Sequence, residues 1–133
     1  MKNNKLLVIM SIFVGLIIAA GVVQLMRPRT DADAICKAKL GTQQTHTVMI
    51  MDSKVTPDAI SAHLCDRLTI ENMDSVAREI GFGQHDHHTA YDGISEKVLN
   101  KDQSLTITLN KVGEYHFHDH LHDEVEGHFT VRE

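Results

Sequence analysis

Histidine is the residue in excess: there are 10 among 133 residues, more than Phe, Tyr and Trp together, and eight of them fall between positions 85 and 128. Seven lie in two short segments, His85-Asp86-His87-His88 and His116-Phe117-His118-Asp119-His120-Leu121-His122. Neutral imidazoles with oxygen partners suit Cu(II), Zn(II) or Ni(II), and Cu(II) binds most tightly in that series. Alternate spacing in each segment brings two imidazoles to one point. His118 and His120 therefore rank first as metal ligands, His85 and His88 next, with His87 and His122 in reserve. Asp119 and Asp86 serve either as ligands or as acceptors that fix an imidazole tautomer. His116 is assigned to the exposed face of a strand. His46, His63 and His128 read as ordinary surface or strand histidines. The competing reading is a set of solvated loop histidines with incidental metal affinity.

These segments need strands to hold them. Val48 and Ile50 alternate with Met49 and Met51, Leu68 and Ile70 with Thr69 and Glu71, Leu105, Ile107 and Leu109 with Thr106 and Thr108, and Phe129 and Val131 with Thr130 and Arg132. Period-two runs bounded by turn residues such as Asp92-Gly93 and Glu126-Gly127 are the signature of half-buried strands. About seven short strands in roughly 90 residues, with no long amphipathic helix among them, predict an antiparallel β-sandwich with Greek-key connections. Tyr115 and Phe117 face its core, so His116 and His118 point the other way. Beyond Asp119 the chain is expected to turn, placing His120 and His122 on a loop.

Residues 6–26, LLVIMSIFVGLIIAAGVVQLM, carry no charge and are long enough to span a hydrocarbon core of about 30 Å. Arg27-Pro28-Arg29 follows in place of a small-residue cleavage site, which favours a retained signal anchor over a cleaved signal peptide. Residues 1–26 are thus read as anchor, 27–44 as a linker with a possible short helix, and 45–133 as the domain. The anchor implies a single-pass cell-membrane protein whose domain is extracytoplasmic, periplasmic or at the cell surface. There Cys36 and Cys65 are able to pair, although two free thiols fit equally well. A formal charge of -5 argues against a nucleic-acid binder that neutralises phosphates. From residue 45 onward, 7 Lys and Arg face 16 Asp and Glu, so the domain attracts cations.

From about Thr45 onward the chain resembles a cupredoxin. The resemblance rests on Val55-Thr56-Pro57, on Cys65-Asp66-Arg67-Leu68-Thr69-Ile70-Glu71-Asn72, on Val112-Gly113-Glu114-Tyr115-His116-Phe117, and on the run from Asp119 to Val131. It implies a cupredoxin-like Greek-key β-sandwich and a copper cofactor, with zinc possible. The departures are informative. Where the family's copper loop carries a thiolate, a histidine and usually a methionine, this chain has Asp119, His122 and Val125, and the family's first histidine falls at about Ala77 or Arg78. A blue type 1 centre depends on a copper–thiolate bond, so none is expected. The His-rich pattern is similar to membrane-anchored bacterial cupredoxin-like proteins related to a domain of periplasmic iron-uptake proteins.

Three function classes follow. The first is a membrane-tethered module that buffers, delivers or senses copper through a thiolate-free, His-rich site. The second is a copper redox protein or enzyme with a non-type-1 centre, and the third is a metal-free fold that binds a partner. The first is favoured, and no Ser/His/Asp or Cys/His nucleophile arrangement argues for an enzyme.

Overall fold

The computed structural model describes residues 36–84 and 87–133; the expected anchor at residues 6–26, His85 and Asp86 lie outside the described residues. Among the described residues, no helix is long and apolar enough to cross a membrane. Ten strands among the described residues form two sheets. The smaller contains β1 (Thr45–Met51), β2 (Lys54–Thr56), β4 (Arg67–Asn72) and β8 (Ser104–Thr108) in the order β2-β1-β4-β8. The larger runs β3 (Ala59–His63), β10 (His122–Arg132), β9 (Gly113–Asp119), β5 (Arg78–Gln84) and β6 (His87–His88), with β7 (Glu96–Leu99) also paired to β5.

The predicted alternation is what closes the sandwich. Val48, Ile50, Leu68, Ile70, Leu105 and Ile107 from the smaller sheet meet Ile80, Phe82, Phe117, Phe129 and Val131 from the larger, all buried in one apolar core. Tyr91, Tyr115 and Phe129 pack ring against ring at 4.7 to 5.3 Å. The additional strands beyond the expected seven include β2, with three residues, and β6, with two. Runs that short carry no readable periodicity. Pairing is mixed, since β1 runs parallel to β4 and β10 parallel to β3, with the remaining partners antiparallel.

Cys36 and Cys65 form a disulfide that closes a 29-residue separation and ties the segment before β1 to the turn before β4. Constraining the unfolded chain over a loop of that size contributes roughly 3 kcal/mol.

The expected turn after Asp119 is a tight hairpin that keeps His120 in the turn but puts His122 on β10 and not on a loop. His120 and Leu121 form the turn, Asp119 pairs with His122, and the register then shifts between His122 and Glu126. The cause is local: the Asp119 carboxylate accepts the Leu121 N–H at 3.2 Å and sits 3.0 Å from His122 Nδ1, pinning both ends of the turn.

Candidate metal centre

Strand parity divides the β9–β10 hairpin into two chemistries. Phe117 and Asp119 point into the sandwich, while His116 and His118 lie on the outer face of the larger sheet, as alternation requires. On the neighbouring strand, Gly81 pairs with His118, and Gly83 pairs with His88 of β6. A Cβ on Gly81 would lie 3.3 Å from His88 Cε1 and 3.7 Å from His118 Cε1. The absent side chain is therefore the space in which the two imidazoles meet, the close approach that glycine inside a strand permits.

The hairpin turn brings in the third ring. His120 donates its backbone N–H to the Glu79 carbonyl at 2.7 Å, and its Nδ1 lies 3.3 Å from His88 Nε2. One nitrogen from each of His88, His118 and His120 falls within 4.8 Å of the others. Two metal–nitrogen bonds of about 2.0–2.1 Å reach across about 4 Å, so small ring rotations bring the trio onto one ion. His118 is buried, and the other two are half-buried.

His88 is held from behind. Its Nδ1 lies 2.5 Å from Glu96 Oε1 on β7, and a carboxylate only accepts, so Nδ1 carries the proton and Nε2 turns its lone pair toward the trio. A carboxylate orienting a ligating imidazole in this way raises its basicity. Three neutral imidazoles with no thiolate suit Cu(II) or Zn(II) and leave a coordination position open.

The other predicted ligands stand elsewhere. Asp119 is fully buried and accepts from Arg78 Nη1 at 3.0 Å, from the Glu79 N–H at 2.9 Å and from the Leu121 N–H at 3.2 Å. Burial pulls its carboxyl upward, but the hydrogen bonds from Arg78, Glu79, Leu121 and His122 outweigh burial and hold it below the usual carboxylate range. Arg78 is itself buried and bridges onward to Asp74 at 2.6 Å and to Ser53 at 2.8 Å. Asp119 occupies the position where the resemblance places the family's thiolate, and its ion-pair partner Arg78 lies at or beside the position of the family's first histidine, so an internal ion pair stands there in place of ligands. Val125 packs in the core. His122 turns to Asp119, and His87 is exposed away from the trio. His46 pairs with Asp66 at 3.0 Å, and the exposed His63 lies 4.0 Å from the same carboxylate.

Sequence reasoning missed Gly81, Glu96 and the neighbours of the trio. Gly81 sits in a strand where glycine signals close approach, which was the available clue. Glu96 left none, because its contact with His88 exists only once β7 pairs with β5. His116, assigned to a solvated face, stacks on His118 with ring centroids 5.4 Å apart, and on the set-aside His128 at 5.5 Å.

The sandwich matches solved structures at low identity, which establishes the fold alone. A novel purple cupredoxin from Nitrosopumilus maritimus superposes with a TM-score of 0.57 at 17% identity, covering 65% of this chain and 98% of that one. A substituted amicyanin in its reduced state gives 0.57 at 18%, covering 71% and 89%. Another amicyanin variant, with Cu(I), gives 0.55 at 20%, covering 66% and 82%. No curated protein matches the sequence. The model of the cupredoxin-like domain matches residues 16–131, most of the chain, and the protein belongs to the cupredoxin-like domain family.

Proposed function

We propose that this is a membrane-anchored, extracytoplasmic cupredoxin-like protein that binds copper, as Cu(II), through His88, His118 and His120, and that it buffers, delivers or senses the metal. The observation that carries the reading is the convergence of three imidazole nitrogens within 4.8 Å on one sheet face. Family membership supports copper over zinc, as does a structural neighbour that is an amicyanin with Cu(I). The apolar run at residues 6–26 supports the anchor, and the Cys36–Cys65 disulfide fits an oxidising compartment. His87, His122 and Asp119 are not required by this reading, and the role of His85 is left to the same test.

The test uses the full chain, purified without a histidine tag, given one equivalent of Cu(II) and dialysed against a weak chelator. The parent is expected to retain copper and His118→Ala/His120→Ala to lose it, with a parallel His85→Ala variant showing whether that residue adds to the site. No retention by the parent, or equal retention by the parent and the double variant, overturns the reading. The open position left by three ligands favours one second reading, a copper redox centre without a thiolate. A reversible redox wave of the copper-loaded protein distinguishes that role from storage.

A further inference from the structure

The imidazoles continue beyond the three-histidine centre. His128 of β10 stands directly across from His116 of β9 in the strand register, and the two rings stack at 5.5 Å with 24° between their planes. His116 stacks in turn on His118 at 5.4 Å and 22°, and His118 lies 5.2 Å from His88. The row from His128 to His88 is therefore continuous across the outer face of the larger sheet.

The outer end of that row has its own oxygen donor and its own space. Glu126 precedes His128 by two residues on the same face of β10, and its Oε2 lies 3.9 Å from His116 Nε2. A cavity of about 430 Å³ opens against both His116 and His128, with Gly83, Tyr115 and Glu114 also on its wall. Two imidazoles and one carboxylate are a recurrent donor set for a divalent cation that keeps an open position.

We propose that His116, His128 and Glu126 form a second position for a divalent cation of the Cu(II) or Zn(II) class, beside the three-histidine centre and weaker than it. The inference rests on the reading of that centre as a metal site. The outer position is weaker because His128 and Glu126 are exposed, and because a second dication is repelled by the first at short range. The Glu126 and Glu96 carboxylates at either end of the row reduce that repulsion. Adjacent positions give a route for handing an ion inward by ligand exchange, from His116 to His118, with no change of oxidation state.

The experiment is a Cu(II) titration of the full chain, without a tag and against a weak chelator, with frozen-solution electron paramagnetic resonance at each step. The parent is expected to bind in two steps, and the second ion should broaden the signal of the first through dipolar coupling. His128→Ala and, separately, Glu126→Gln should keep the first step and weaken the second at least tenfold, leaving the unbroadened signal of an isolated ion. A single step in the parent overturns the second position while leaving the three-histidine centre standing. So does a second step without broadening, which marks a distant histidine, or one unchanged in His128→Ala. Absence of the first step overturns the reading of the centre itself, and the second position falls with it.

Discussion

Two regions of the β9–β10 hairpin, one residue apart in sequence, have opposite chemistries. Asp119 points inward and joins Arg78 and Asp74 in a buried charge cluster; His118 and His120 stand on the other side of the backbone among imidazoles. The first region supplies both signs of charge from the chain: one guanidinium on β5 pairs with both carboxylates, and backbone N–H groups take up much of the remaining acceptor capacity. The second gathers three imidazoles, one nitrogen of each within 4.8 Å of the others. A strand alternating at period two can thus build a closed electrostatic site and an open one from adjacent residues.

If the two regions are separate, damage to each has a different readout. Arg78→Met leaves the fully buried Asp119 uncompensated, and removing one partner of a buried ion pair costs about 3–5 kcal/mol. Urea unfolding of the metal-free full chain should show that loss. Arg78→Met/Asp119→Leu should recover only part of it, because Asp74 still loses its guanidinium and the Glu79 and Leu121 N–H groups lose their acceptor. Copper retention by whatever fraction remains folded should match the parent. Copper lost from folded Arg78→Met would show that the charge cluster also shapes the metal centre.

Acid probes the same cluster. At Asp74, burial raises the carboxyl, but bonds from Arg78 and from the Ser53 and Asp52 N–H groups prevail and lower it, as the corresponding bonds lower Asp119. A depressed carboxyl contributes stability that is present above the unfolded value, about 3.9, and is lost as pH falls through the folded one. The stability contributed by this cluster in the metal-free chain should therefore hold down to about pH 4 and decline below it. In Asp74→Asn that decline should be shallower. Equal acid slopes in the two proteins would remove Asp74 from the account.

The two regions were not equally legible in the sequence. Alternation in Val48/Ile50, Leu68/Ile70, Leu105/Ile107 and Phe129/Val131 located the core, because burying one face of a sheet leaves a period-two trace. The spacing of His118 and His120 identified two of the trio, and the cluster around His88 suggested the third. The sequence also placed Asp119, and Ala77 or Arg78, where the resemblance expects ligands, but the ion pair of Arg78 with Asp119 joins residues 41 positions apart and leaves no local pattern. His128 reads in the sequence as an ordinary strand histidine, because its place across from His116 depends on a two-residue turn and an irregularity between His122 and Glu126. Cross-strand partners are decided by turn geometry, which the residues of either strand alone do not reveal.

On the metal side, Glu96→Gln removes the carboxylate that fixes the His88 ring while keeping a side chain of nearly the same shape. Loss of such an orienting partner lowers metal affinity by about 10–100-fold. Competition with a chelator of known affinity should register that drop. The urea midpoint of the metal-free protein should barely move, since Glu96 is exposed. A stability loss comparable to that of Arg78→Met would instead make the His88–Glu96 contact part of the folding framework.

Gly81→Ala gives the smallest expected effect and tests the comparison most directly. The added Cβ lands 3.3 Å from His88 Cε1, so the imidazole must give by a few tenths of an ångström, and it lies on a two-residue strand at the edge of the sheet, away from the apolar core. Gly81 lacks the positive φ that would strain alanine, unlike Gly83 at +87°. The fold should therefore tolerate the methyl group while the trio opens slightly, weakening copper binding several-fold with stability near that of the parent. Gly127→Ala is the control from the core side of the same sheet, because its Cβ would fall 2.5 Å from Phe117 Cζ. That crowding should cost about 1–3 kcal/mol. It should leave copper affinity in the folded protein nearly unchanged. If Gly81→Ala destabilises the chain as much as Gly127→Ala, the outer face is packed like a core, and the distinction between a closed site and an open one fails.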